Sequence, residues 1–416
     1  ADDLGYGDLS CYGSSKLKTP HLDQLAKSGV RLTDFYTGAT VCTPSRMALM
    51  TGNYPSRLGW KGGVLGHRIK TETGLAPEST TVAEHFKAAG YRTFMSGKWH
   101  LGSTAELSPM NQGFDHAFHI KLSNNQTKKL YRDGEIIENP FENRHLSEQF
   151  TDEATRFIRS EHKSPFFLYV PYTAPHFPAQ AHPDWKGKST VGAYGDVVEE
   201  LDYRIGEITT ALKESNLEKN TLVVFLSDNG PDPSQRKWAT TAPHRGLKWS
   251  SLEGGTRVPC IVSWPGVVPR ETVCHDLVAA IDLFPTLAHA SGIPTGPKST
   301  DGHNVWLTLI DKDTPHPRQT LLYWEGWATP QAIRAGTWKL YFDKTKDVPA
   351  SQQGPALFDL ANDPQEKIDL STQHPDKVTK MLQQARTQLT EINESSIALG
   401  GPPAEQPEPK KPHWLN

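Results

Sequence analysis

The chain of 416 residues carries 36% hydrophobic and 22% charged side chains, a globular composition long enough for one large domain with a smaller partner. Its 44 basic and 47 acidic side chains leave a formal charge of -3, which argues against a nucleic-acid surface, and no run of ~18 apolar residues offers a membrane span. Any anion site must therefore be local. The chain opens at Ala1 without a methionine, as processed or trimmed chains do, and shows no signal peptide. Asp2-Asp3-Leu4-Gly5-Tyr6-Gly7-Asp8-Leu9 reads as a glycine-rich loop whose paired carboxylates are either a solvated turn or ligands for a hard cation. A short helix over 21–28 follows Thr19-Pro20, with Leu22, Leu25 and Ala26 facing inward, and stops at Gly29. Residues 30–36 alternate like a strand and deliver the chain to Cys42-Thr43-Pro44-Ser45-Arg46.

Met47-Ala48-Leu49-Met50 continues that stretch as a helix ended by Thr51-Gly52, and Pro44 is tolerated in a first turn, so Cys42 is predicted at a helix N-terminus. Backbone N–H groups there favour an anion or a developing oxyanion. A lone cysteine is ordinarily a buried small hydrophobe, and a thiolate phosphatase would space its arginine further away. The four cysteines show no metal-knuckle spacing, and pairing of Cys11 with Cys42 or Cys260 with Cys274 stays open.

Beyond an irregular passage over 52–74, Ser79 or Thr80 is expected to cap a helix bearing Val82, Ala83, Phe86 and Ala89 on one face, closed by Gly90. The strand over 91–96 ends in Gly97-Lys98-Trp99-His100-Leu101-Gly102, and an apolar strand over 166–170 precedes Thr173-Ala174-Pro175-His176-Phe177-Pro178. An amphipathic helix follows, with Val197, Val198, Leu201, Ile205, Ile208 and Leu212 on one side, and the strand over 221–226 ends in Ser227-Asp228-Asn229-Gly230-Pro231. Strands separated by amphipathic helices describe an α/β fold with a large, mostly parallel sheet sandwiched by helices. Ligands bind outside the carboxyl ends of strands in such sheets, so Cys42, Lys98, His100, His176, Asp228 and Asn229 are predicted to share one edge.

The cluster His244-Arg245-Gly246-Leu247-Lys248-Trp249, followed by Glu253-Gly254-Gly255-Thr256-Arg257-Val258-Pro259, would by itself read as a solvated loop. A strand over 260–264 and a helix over 277–290 complete the main layer. The polar, proline-bearing stretch at 311–318 marks a boundary, which gives a catalytic domain over 1–318. Short strands over 320–323, 331–335 and 337–342 and a helix striped by Val378, Met381, Leu382, Ala385, Leu389 and Ile392 form a smaller α+β domain over 319–399. Residues 400–416, rich in Pro, Glu and Lys, read as an extended tail. No internal repeat is present.

The stretch from Cys42 to Arg46 resembles the cysteine-x-proline-x-arginine signature of the type I, formylglycine-dependent sulfatases of the alkaline phosphatase superfamily. The aspartate pair, the Gly97 to Gly102 loop, Asp228-Asn229-Gly230, and Lys248 followed by Glu253-Gly254-Gly255 extend the resemblance over nearly the whole chain. The resemblance implies that a formylglycine-generating enzyme oxidises Cys42 to an aldehyde whose hydrate attacks sulfur and forms a covalent sulfo-enzyme. It implies one calcium ion, with magnesium less suited, held by Asp2, Asp3, Asp228, Asn229 and the modified Cys42. Lys98, His176 and Lys248 would hold the sulfate, and Arg46 the hydrated aldehyde. His176, with Lys248, would protonate the leaving oxygen, and His100 would deprotonate the second hydroxyl so that the aldehyde reforms.

The same resemblance implies a sulfated small molecule or, by preference, a saccharide or polysaccharide as substrate, and a periplasmic or extracellular location. Such proteins usually carry an apolar strand just before the aspartate pair, so the sheet is expected to lack its first strand here. Trp60, Trp249, Trp324 and Trp327 either face a sugar ring or pack a domain junction. Two other readings compete: a phosphonate or phosphate monoester hydrolase with the same nucleophile, and an inactive sugar-binding protein with unmodified Cys42.

Overall fold

The Arg92–Lys98 strand, buried along nearly its whole length, anchors the largest sheet in a computed structural model that describes residues 1–296, 300–311, 313–325, 330–343, 348 and 354–401. It pairs in parallel with His116–Ile120 on one side and Phe166–Tyr169 on the other. Leu130–Arg132 and Glu135–Glu138 extend the sheet to five strands as an antiparallel hairpin. Its turn is Asp133-Gly134, both at positive φ, the pairing that matches the twist of a two-residue hairpin. A four-stranded sheet runs in the order Val223–Leu226, Cys260–Ser263, Val30–Leu32, Thr272–Cys274.

The α/β expectation holds, with strand directions more mixed than mostly parallel. Val223–Leu226 ends at the site, residues 227–259 stay at that end, and Cys260–Ser263 must therefore run back antiparallel. Residues 1 and 2 bridge the segments that follow Phe166–Tyr169 and Val223–Leu226. Asp2 N–H donates to the Ala174 carbonyl at 2.9 Å, and the Ala1 amine reaches the Leu226 carbonyl at 2.7 Å.

The strand expected over 30–36 breaks in two. Val30–Leu32 joins the four-stranded sheet, whereas Phe35–Tyr36 pairs with Val278–Ala279. The cause is Asp34, whose two oxygens are committed to Arg334 and Arg257. Thr81, one or two residues past the expected cap, starts the Val82–Ala88 helix: its hydroxyl accepts Glu84 N–H at 3.1 Å while the Glu84 carboxylate accepts Thr81 N–H at 2.7 Å. Cys42–Thr51 is helical as expected and ends at Gly52 in the left-handed conformation. The Leu146–Arg159 helix, not anticipated, buries Leu146, Phe150, Ala154 and Ile158 and packs on Gly192–Glu214.

At the C-terminal end, Thr320–Trp324, Pro330–Ala335, Trp338–Tyr341 and Ala356–Asp359 form an antiparallel meander backed by the Pro375–Glu394 helix. Its core is continuous with Tyr36, Ala39, Tyr54, Leu252 and Ile281 of the preceding chain. The strand Ala356–Asp359 was not anticipated. Trp327 and residues 402–416 of the expected tail lie outside the described residues. All four cysteines are free thiols, so neither candidate disulfide forms.

Candidate active site

Every polar side chain expected at the strand ends arrives in one buried cluster. Lys98 is the last residue of its strand and His100 follows at φ 61°, a turn that points the imidazole back across the sheet edge. Asp3 sits at φ 65° just past the pairing of residue 2. Cys42 is the first residue of its helix and 2% exposed. Gly230 lets two loops touch, since a Cβ there would lie 1.9 Å from the Gly254 carbonyl oxygen. Gly230 N–H donates to the Gly255 carbonyl at 3.0 Å and Lys248 N–H to that of Pro231 at 2.9 Å, so the loop bearing Lys248 is pressed onto the loop bearing Asp228.

Cations and carboxylates interlock at the base. The Arg46 guanidinium donates through Nε to Asp228 Oδ2 at 2.9 Å and through Nη1 to the Lys98 carbonyl at 3.0 Å. Lys98 Nζ donates to Asp2 Oδ2 at 2.7 Å, and Lys248 Nζ bridges both Asp3 oxygens at 2.7 and 2.9 Å. Asn229 Nδ2 donates to Asp3 Oδ1 at 2.6 Å. Burial works against ionisation of Asp2, but Lys98, His176, Arg46 and Lys248 hold its carboxyl well below the usual range. Burial instead dominates at Asp3, which is pushed up to about 7 with Asp2 and Asp228 adding repulsion.

The two histidines have defined tautomers, because each meets a carbonyl that can only accept. His100 Nε2 donates to the Leu65 carbonyl at 3.0 Å, so Nδ1 carries the lone pair, and that atom has no partner. Burial and Lys98 hold its pKa well below the ordinary imidazole value. His176 Nδ1 donates to the Phe177 carbonyl at 2.7 Å, leaving Nε2 free at 3.6 Å from Asp3 Oδ2. Leu65 also ties His100 to the helix that begins at Cys42, since its N–H donates to Thr43 Oγ1 at 3.2 Å. Burial pushes the Cys42 thiol up, opposed by Lys98 and Lys248, so residue 42 is a neutral thiol and a poor nucleophile as it stands.

Two oxygens in this cluster are sealed from solvent without a hydrogen-bond partner, Asp2 Oδ1 and Asn229 Oδ1. Leaving such acceptors unpaired costs about 1–3 kcal/mol each. Both are hard oxygen donors beside Asp3 and Asp228, a set that fits a calcium-type ion. The chain reading missed the Arg46–Asp228 pair and the anchoring role of Leu65, neither of which has a sequence spacing to betray it. Of the tryptophans, Trp60 and Trp324 are buried in hydrophobic cores, Trp60 in the one that also contains Cys42. Trp249 is half-buried, with Arg68 over its ring at 5.3 Å and His67 at its edge.

A family model described as Sulfatase matches residues 1–293, and one described as N-sulphoglucosamine sulphohydrolase, C-terminal, matches residues 248–395. The chain is 33% identical to Arylsulfatase A of Homo sapiens over 98% of this chain and 90% of that protein. It is 31% identical to N-acetylgalactosamine-6-O-sulfatase of Bacteroides thetaiotaomicron over 92% and 90%. Among solved structures, Ps i-CgsB in complex with k-i-k-neocarrahexaose superposes with a TM-score of 0.81 at 30% identity, covering 95% and 92% of the two chains. The phosphonate monoester hydrolase of Agrobacterium radiobacter, at 18% identity and a TM-score of 0.67, shares the fold alone. With the buried acid–base cluster and the matched length together, the chain belongs to the sulfatase family and is a sulfuric ester hydrolase.

Proposed function

We propose that this enzyme removes sulfate from a sulfated saccharide, using a formylglycine at position 42. The observation that carries the reading is the meeting of a buried, unreactive Cys42 thiol with a ring of fixed cations and two imidazoles of opposite free nitrogens. A neutral thiol cannot do the chemistry, whereas a hydrated aldehyde there offers an oxygen nucleophile. Because Cys42 is sealed in its helix, a formylglycine-generating enzyme would have to meet it before the helix packs. Relatives named for N-acetylgalactosamine sulfates and the carrageenan-bound structure support a saccharide substrate, and Trp249 offers a half-buried ring beside the pocket. A saccharide of this kind is met in the periplasm or outside the cell, and among the described residues no helix is long and apolar enough to cross a membrane.

Asp2, Asp3, Asp228 and Asn229, with the modified residue 42, would hold calcium in preference to magnesium, and the ion when bound supplies positive charge against the sulfate oxygens. The remaining work falls to the chain. Lys98 and Lys248 hold ammonium groups at the same oxygens, fixed before substrate arrives by Asp2 and Asp3. Arg46, immobilised by Asp228 and the Lys98 carbonyl, holds the oxygen of residue 42. His100 takes a proton at Nδ1, since its Nε2–H is committed to Leu65. His176 delivers one from Nε2 to the departing alcohol, with Lys248 beside it; burial holds it down to about 3, and a bound anion favours its protonation.

Two measurements test the reading. Intact-peptide mass spectrometry across residue 42 should find the aldehyde, and an unmodified cysteine in active enzyme would overturn it. Release of sulfate from defined sulfated oligosaccharides, run beside the matching phosphate esters, should favour sulfate; faster phosphate release would favour the phosphoester reading.

A further inference from the structure

At the start of the Leu146–Arg159 helix, outside the pocket, two imidazoles converge on one carboxylate oxygen. His145 Nδ1 lies 3.4 Å and His182 Nε2 3.5 Å from Glu148 Oε2. The three ligand atoms lie within 4.8 Å of one another, with the rings at 74° to each other. Good N–H···O bonds are shorter, about 2.7–3.2 Å. Two donors on a tetrahedral zinc ion, with bonds of about 2.0–2.2 Å, stand roughly 3.3–3.5 Å apart. The two imidazole-to-carboxylate distances are thus those of ligands sharing an ion.

The surroundings agree. The far nitrogen of each ring has neighbours of its own: His145 Nε2 is 3.8 Å from Glu142 Oε2, and His182 Nδ1 accepts the Asp184 backbone N–H at 3.2 Å with Asp184 Oδ2 3.4 Å away. An ion at His182 Nε2 would move the ring proton to Nδ1, where Asp184 Oδ2 is placed to accept it. Arg204 stands 3.6 Å from Glu148 Oε1 and is also held by Glu200 and Glu207, which orients the carboxylate and leaves Oε2 to the imidazoles. Glu200 further accepts the His182 backbone N–H at 2.8 Å, so the segment bearing the second ring is fixed in place.

We propose that His145, Glu148 and His182 form a second metal site, separate from the pocket, that takes a divalent transition metal of the zinc type. Two nitrogens and one oxygen suit zinc and disfavour calcium. The three side chains are 32%, 34% and 14% exposed, so the fourth position opens to water. His182 lies six residues beyond His176 on the segment leaving the pocket. An ion here staples that segment to the Leu146–Arg159 helix, reinforcing the bond from Asn143 Nδ2 to the Pro178 carbonyl at 3.0 Å.

The test is titration of the purified enzyme with Co2+ while calcium is kept in excess. The expected result is one Co2+ per chain with the intense visible bands of tetrahedral coordination, displaced by Zn2+, and a higher Tm with Zn2+ than without. His182→Ala should abolish those bands. Asp184 is 81% exposed, so Asp184→Asn should fold normally and weaken Co2+ binding about 10- to 100-fold. No tetrahedral spectrum in the parent enzyme, or unchanged affinity in Asp184→Asn and His182→Ala, would overturn the proposal.

Discussion

Asp2 and Asn229 in the pocket are buried to much the same degree as Asp34, Glu253 and Glu366 beneath the C-terminal sheet, yet their oxygens are partnered differently. Under the sheet every carboxylate oxygen is taken. Glu253 receives Lys339 and Tyr323 on one oxygen and Tyr36 and Arg257 on the other. Glu366 receives Tyr341 and Lys339 on one and Glu253 N–H on the other, while Asp34 is held by Arg334 and Arg257. In the pocket, Asp2 Oδ1, Asn229 Oδ1 and His100 Nδ1 are left without partners. A closed network has nothing left to bind, and an open one holds its donors ready. The closed network also serves the open one, because Lys339 and Tyr341 donate to the Ser251 carbonyl on the loop that carries Lys248.

The contrast can be broken most severely at the open end. Cys42→Ala should lower kcat/KM for a sulfate ester by on the order of 10⁴–10⁶-fold with the fold intact by circular dichroism; near-parental turnover would sink the nucleophile assignment. His100→Ala removes a proton acceptor and should cost about 10²–10⁴-fold in kcat, with little change in Tm. Calcium withdrawal by a chelator should abolish turnover and lower Tm, and calcium should restore both; Asp228→Asn should need more calcium for the same recovery.

At the closed end the effects should fall on stability. Lys339→Met leaves Glu253 and Glu366 facing each other without their shared ammonium and should cost about 3–5 kcal/mol in denaturant unfolding. A smaller effect concerns acid. Burial opposes ionisation of Glu253, but Lys339, Arg257 and Arg334 hold its carboxyl well below the usual range. Its contribution to stability is therefore fully present above the ordinary carboxylate pKa of about 4.3 and is lost as pH falls toward the folded value. Glu253→Gln should flatten the fall of Tm with acid, and an unchanged slope would show that other groups set it.

Cys42, Lys98, His100, Asp228 and Asn229 were legible because each stands at or just past a strand end or at a helix start, positions that punctuation by Gly and Pro makes visible, whereas Lys248 lies in a turn without such a signal. Their partners were not: Asp228 and Arg46 are 182 residues apart, and only the fold brings them together. Strand direction was misjudged because residues 227–259 contain no regular helix long enough to signal a crossover, and their return along the same sheet end has no local pattern. Glu253 read as part of a solvated loop, because Lys339 and Arg334, which compensate it beside the neighbouring Arg257, come from strands far along the chain. The Leu146–Arg159 helix was readable in principle, since Leu146, Phe150, Ala154 and Ile158 recur every fourth residue.

Cys42 is enclosed on every side once its helix has packed. On the proposed reading, in which an aldehyde at position 42 is installed before the helix packs or not at all, a preparation can be monodisperse and cooperative in melting while a share of its molecules is inert. Specific activity would then count converted chains, and the choice of expression host would matter more to it than any later purification step.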